Sequence, residues 1–235
     1  WYTFFHQLGF RVLVSPNSTR ELYAAGQHTI PSDTACYPAK LMHGHIEWLL
    51  AQKPDVIFYP DMSYNVEEGL GVDHFNCPVV AYYPQVLKLN VPGLRNIPFI
   101  SDFIGLHDKK NFRKRIGAIL ARYFAPFSKK QIAAAADAAY AQYAAYHKAV
   151  QDYLAAAKQE KQPVVVLCGR PYHVDPEVSH GVDKLLCDLG AAVITEDSIS
   201  PLVTKFPAAV RNQWTYHARM YAAAKYVAES PDDLH

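Results

Sequence analysis

Apolar residues along this chain fall into short continuous runs separated by longer stretches at helical spacing. Arg11-Val12-Leu13-Val14, Val56-Ile57-Phe58-Tyr59, Val79-Val80-Ala81-Tyr82, Val164-Val165-Val166-Leu167 and Ala192-Val193-Ile194 each read as a short buried strand. Their continuity, in place of strict alternation, suits a parallel sheet covered on both faces. Between them the spacing predicts helices over 19–25, closed by Gly26, over 38–52, and over 177–189, closed by Gly190. Glycine just past the last helical residue is a common stop. Strands alternating with helices give an α/β, doubly wound pattern.

One segment breaks this rhythm. Residues 128–158 read as a long helix rich in Ala and Tyr. Ser128 and Gln131 have the spacing of a capping box, and Phe127 and Ile132 that of a hydrophobic staple. Tyr140, Tyr143, His147, Val150 and Leu154 recur at intervals of three and four, which places them on one packed stripe. The basic run Lys109-Lys110-Asn111-Phe112-Arg113-Lys114-Arg115 before it reads as a solvated helix face. The expected organisation is an N-terminal α/β lobe over 1–106 carrying the cysteine loops, a helical connector over 107–162, and a C-terminal α/β lobe over 163–235.

Composition narrows the function classes. Half of the 235 residues are apolar and 19% are charged, which excludes a disordered chain. No apolar run approaches the roughly 18 residues of a membrane span. Lys plus Arg total 23 against 22 for Asp plus Glu, so the basic excess of a nucleic-acid binder is missing. The opening Trp1-Tyr2-Thr3-Phe4-Phe5-His6 lacks a secretory signal and an initiator Met, so the chain reads as a piece of something longer. Four cysteines are too few for a disulfide scaffold, and a cytoplasmic setting with reduced thiols is expected.

Several loops carry chemistry. In Ser32-Asp33-Thr34-Ala35-Cys36-Tyr37-Pro38, Pro38 suits the first turn of a helix, so Cys36 stands just before a helix N-terminus. There the free N–H groups and the helix dipole favour the thiolate, the form that attacks or binds metal; a small buried packing cysteine is the plain alternative. Cys77, in Asn76-Cys77-Pro78, precedes the expected strand over 79–82. Asp61 follows the strand ending at Tyr59, where a doubly wound sheet places ligand-binding residues, although a turn-forming Asp is equally expected. His43 and His45 are two apart on a helix and cannot form the usual metal pair. In the second lobe, Cys168-Gly169-Arg170-Pro171-Tyr172-His173 links a strand to a helix, with Arg170 as a bidentate donor in an anion cradle. It is neither a Walker loop nor a dinucleotide fingerprint. Cys187 reads as helix packing, and no catalytic triad is evident.

Together these loops resemble a known family. Cys36-Tyr37-Pro38-Ala39-Lys40 with His43-Gly44-His45, Tyr59-Pro60-x-Met62-Ser63-Tyr64-Asn65, Asn76-Cys77-Pro78-Val79-Val80 and Gly169-Arg170-Pro171-Tyr172-His173 are similar to motifs of 2-hydroxyacyl-CoA dehydratase activase-related proteins. These are relatives of the dehydratase component and of double-cubane-cluster reductases. Asp197-Ser198-Ile199 and the stretch from Gln213-Trp214 to Arg219 extend the resemblance over nearly the whole chain.

The resemblance implies two Rossmann-like lobes and an iron–sulfur cluster of the [4Fe–4S] type on cysteines. An ATPase activase domain or subunit would drive a low-potential electron into it. Cys36 and Cys77 match the family's cysteine positions and are the expected iron ligands, with Asp61 at the third corner. Arg170 and His173 are expected to face an acyl-CoA or another small anionic substrate; neither nucleic acid nor membrane is an expected partner. In two respects the chain departs from the pattern. Asp61 stands where the family commonly has Cys, and a further cysteine expected after the Trp214 helix lies beyond His235. The activase's nucleotide motifs are also absent, so this chain by itself is expected neither to hydrolyse ATP nor to complete a catalytic cycle. The second function class is therefore a ligand-binding or docking module that has lost the cluster, and the third a zinc hydrolase using Cys36, Cys77 and a His.

Overall fold

The computed structural model describes residues 1–204 and 209–230. The chain forms two compact units. Unit 1 comprises Trp1–Val66, Asn76–Ala138 and Asp175–Glu177; unit 2 comprises Glu67–Phe75, Ala139–Val174 and Val178–His235. The fold is α/β with helix predominating, and each unit contains a two-stranded parallel sheet.

Unit 1 begins with α1 (Tyr2–Gln7), α2 (Arg20–Gly26) and α3 (Tyr37–Ala51). Thr19 caps α2 by accepting a hydrogen bond from the Leu22 amide at 3.1 Å. The expected helix over 38–52 is present as α3. Gly26 ends α2, but with φ of −95° it is not a left-handed stop. Its place is set by packing: a Cβ on Gly26 would lie 2.1 Å from the Gly44 amide nitrogen, and one on Gly44 would lie 1.9 Å from the Leu22 carbonyl oxygen. The two glycines let α2 and α3 cross in backbone contact.

Strand β1 (Ile57–Phe58) pairs in parallel with β2 (Phe99–Ile100) through the crossover helix α4 (Pro78–Asn90). An isolated Asp61–Phe103 bridge extends the pairing. The expected strand over 79–82 is instead the first turn of α4. Pro78 at its first position presets the helical φ, and Tyr83, Leu87 and Val91 continue inward at helical spacing. The expected strand over 11–14 is irregular chain, with Leu13 and Val14 exposed. Ala39, Ile46, Ile57, Tyr83, Leu87 and Phe99 are buried in one core. A second packing centre is aromatic: Phe5 and Phe58 rings lie 4.7 Å apart, and Phe10 and Phe124 rings 4.9 Å apart.

Helix α5 (Lys109–Leu120) carries the basic run on its outside and buries Phe112, Ile116, Ile119 and Leu120. Its Asp108 cap accepts from the Lys110 and Asn111 amides. The long helix α6 (Lys129–Gln159) follows. The Ser128–Gln131 capping box forms in both directions, at 2.9 and 3.2 Å. The stripe on α6 packs at its far end, where Leu154 is buried, whereas Tyr143 remains 40% exposed.

In unit 2, β3 (Val164–Leu167) pairs in parallel with β4 (Ala192–Thr195) over four residues in register. The expected single helix between them is two, α7 (Pro176–Ser179) and α8 (Val182–Asp188). The break falls at His180 and Gly181, with φ of 53° and 74°, left-handed values that no continuous helix tolerates. Gly190, with φ of +90°, stops α8 as expected. The short α9 (Glu196–Ile199) follows β4 directly, and α10 (Thr215–Ala228) closes the unit. Leu154, Val164, Ile194, Ile199 and Ala223 form its core. Among the described residues, no helix is long and apolar enough to cross a membrane.

Candidate functional site

Cys36 and Cys77 occupy equivalent local positions. Each is the N-cap of a helix with Pro in its first turn, α3 and α4 respectively. Their backbones match closely, with φ and ψ of −63° and 150° at Cys36 and −64° and 153° at Cys77. Both thiols are free, Cys36 exposed and Cys77 half-buried. The helix-terminal position expected for Cys36 therefore holds for Cys77 as well, because the run after Pro78 is helix and not strand.

Asp61 follows β1 and is wholly buried, so it is no surface turn. Its Oδ2 accepts a 2.5 Å hydrogen bond from the Gln85 amide, which also donates to the Ser101 carbonyl at 3.1 Å. Oδ1 has no partner. Burial pushes the Asp61 carboxyl up, with the Asp102 charge adding to it, against the stabilising Gln85 contact. A tyrosine pair ties these residues into one neighbourhood. Burial, then the charges of Tyr83, Asp61 and Cys77, raise the Tyr59 phenol, and burial with the charge of Cys36 raises that of Tyr83.

The two histidines of α3 are structural. Thr29 Oγ1 donates to the Gly26 carbonyl at 2.8 Å and meets His43 Nδ1 at 2.7 Å, so Nδ1 carries the proton. Nε2 then accepts from the Tyr83 hydroxyl at 3.0 Å. Both nitrogens are used, and burial pushes His43 down to about 4, with the His28 charge contributing. His45 joins Ser15 and Ser18, each at 2.9 Å.

An iron–sulfur cluster is held by a full set of ligands, in most proteins thiolates. Unit 1 offers two thiols and one carboxylate around the tyrosine pair. Among the described residues, no three His, Cys, Asp or Glu side chains are gathered to hold a metal ion. The residues present therefore do not by themselves fit a complete cluster site, nor do they form a zinc centre.

A cavity of about 540 Å³ in unit 2 opens at the carboxyl ends of β3 and β4, where parallel sheets bind ligands. Cys168, Arg170 and His173 line it from the loop after β3, and Glu196, Asp197 and Arg219 from α9 and α10. The Arg170 amide donates to His173 Nδ1 at 2.9 Å, which folds the loop back on itself. Gly169 is required there, because a Cβ would lie 2.3 Å from that nitrogen. Arg219 is 5% exposed and forms a forked ion pair with Glu68 at 2.8 and 2.6 Å. Glu196 is buried as well, and burial, helped by Asp197 and opposed by the Gly169 amide and Arg219, pushes its carboxyl up to about 7.

Arg170 and His173, singled out from the sequence, both line this cavity, and so does Cys168 before them. Cys187, expected to pack inside a helix, is exposed on α8. Glu196 carries no such signal: an acid following an apolar run looks like the end of a strand, and the α9 turn carries it inward. The hydrogen-bonded chain Ser15–His45–Ser18–Asp175 was equally invisible, since Asp175 is remote in sequence.

Comparison with curated proteins and with solved structures gives no match. Residues 1–199 match the family model for the CoA enzyme activase uncharacterised domain (DUF2229), and the chain belongs to that family.

Proposed function

We propose that this chain is the cysteine-bearing region through which an activase-related protein holds an iron–sulfur cluster and carries a low-potential electron, acting with an ATPase component. The observation that supports it is the paired placement of Cys36 and Cys77. Each thiol stands at the N-cap of a Pro-started helix. The two contribute part of the ligand set, and its remainder comes from outside the described residues. Asp61, with one carboxylate oxygen already taken by Gln85, is not gathered with the two thiols into a three-ligand set.

Anaerobic reconstitution with iron and sulfide tests this reading. A brown protein with bound iron and sulfide, whose visible absorbance falls in Cys36→Ala and in Cys77→Ala, is the expected result. A colourless, iron-free protein overturns it for this chain. That outcome would favour the second reading, a ligand-binding module without a cluster, for which the buried Asp61 and its Gln85 partner are the supporting observation.

A further inference from the structure

We propose that the cavity of unit 2 binds a small monoanionic organic acid with an apolar body, its carboxylate held by Arg170 and His173. This goes beyond the cluster reading and needs no metal.

The charge inventory selects a monoanion. Two arginines line the cavity, but Arg219 is committed to Glu68 through two hydrogen bonds. Among the described residues, Arg170 has no ion pair, so its planar fork is available for a carboxylate. His173 supplies a second donor. Its Nδ1 accepts from the Arg170 amide, which leaves the ring proton on Nε2 in the neutral form. Asp197 and Glu196 line the same cavity, Glu196 against the Gly169 amide, and their negative charge disfavours a phosphate dianion in that space. Leu167, Val174, Val178 and Val182 provide hydrocarbon surface for the body of the ligand.

Glu196 couples the site to pH. The groups facing it are Asp197 beside it on α9, Arg219 from α10, Cys168 and the Gly169 amide from the loop after β3, and Tyr146 from α6. Protonated, Glu196 removes one negative charge from the wall. Acid binding therefore tightens as pH falls through about 7, the value to which burial brings this carboxyl.

Calorimetric titration of the full chain with hexanoate tests the assignment. Saturable binding is expected, weakened about tenfold or more in Arg170→Met and only partly in Arg170→Lys, with unchanged circular dichroism. Affinity should weaken several-fold between about pH 6 and pH 8, and this dependence should disappear in Glu196→Gln. Equal hexanoate affinity in Arg170→Met, or no saturation by about 10 mM hexanoate, overturns the site. Tighter binding of inorganic phosphate or coenzyme A than of hexanoate overturns the monoanion assignment. Should Arg170→Met fail to fold, amide NMR shifts at Gly169 and Thr195 in the unaltered protein decide: saturation by hexanoate supports the site, and their absence refutes it.

Discussion

Ser18 and Asp175, separated by 157 positions, meet through a 2.7 Å hydrogen bond from the serine hydroxyl to the carboxylate. The Ser18 amide donates to the same oxygen at 3.3 Å. Because its own proton goes to Asp175, Ser18 Oγ accepts from His45 Nε2, and His45 Nδ1 is left to accept from the Ser15 hydroxyl. A single chain of donors thus fixes the tautomer of a buried histidine and anchors Asp175 in unit 1.

Ser18→Ala should therefore cost more than the loss of one ordinary hydrogen bond. It strands the His45 N–H inside the protein and frees Asp175 together, a cost of about 1–3 kcal/mol. Ser15→Ala, at a half-buried position, should cost less, about 0.5–1.5 kcal/mol. Urea unfolding measures both. Asp175→Ala combined with Ser18→Ala should cost clearly less than the two singles added; strict additivity would show that the chain is not coupled.

Gly44 is the second case where a small change is expected to have a large effect. The Cβ of Gly44→Ala would fall 1.9 Å from the Leu22 carbonyl oxygen, a rigid backbone atom. Helices α2 and α3 would have to separate, at a cost of about 3 kcal/mol or more. His43 and His45 would move with α3. Thermal denaturation should show a large drop for Gly44→Ala; Gly181→Ala is not a suitable control, since an alanine side chain would be strained at that positive φ. Gly117→Ala, whose Cβ would have 3.7 Å of clearance from Ile132, is the appropriate one and should be near neutral or stabilising.

These residues show what a sequence displays and what it hides. Elements with local determinants were legible: β3 and β4 from their apolar runs, α6 from its capping box, the end of α8 from Gly190. The run over 79–82 was not, because apolar β-branched residues suit a strand and a buried helix alike, and Pro78 decides between them. Gly44 carries no local signal of its role, which is backbone contact with the preceding helix α2. Arg170 and His173 stand out in the sequence because strand, glycine turn and helix start are contiguous there, and both line the cavity. Glu196 and the Arg219–Glu68 pair depend on tertiary packing across distant segments, which spacing does not encode.

The Arg219–Glu68 pair sets a third expectation. Both side chains are largely buried, at 6% and 15% exposure. Removing one partner leaves the other charge without its counterion, so Arg219→Ala and Glu68→Ala should each cost about 3–5 kcal/mol. The double replacement Arg219→Met with Glu68→Met should recover much of that loss, since an apolar pair carries no desolvation cost. A double variant as unstable as the sum of the singles would argue that packing, not charge pairing, holds α10 at this point.

Acid should act on the two units in opposite directions. His43 lies at about 4 in the folded protein against an ordinary 6.5, and its lowered value means that the unfolded chain takes up the proton first. Its contribution to stability is thus present above about pH 6.5 and is lost progressively as pH falls toward 4. Glu196, raised from 4.5 to about 7, behaves in reverse: the folded state holds the proton, so its contribution is present below 4.5 and is lost as pH rises through 7. Comparing urea unfolding at pH 5 and pH 7.5 separates the two. His43→Gln should reduce the loss of stability on acidification by about 1–2 kcal/mol, since a neutral amide cannot be charged. Glu196→Gln should gain stability relative to the parent at pH 7.5 and little at pH 5, where the parent's carboxyl is already protonated. If Glu196→Gln gave the same difference at both pH values, the carboxyl would not be titrating in this range, and the pH coupling assigned to the cavity would fall with it.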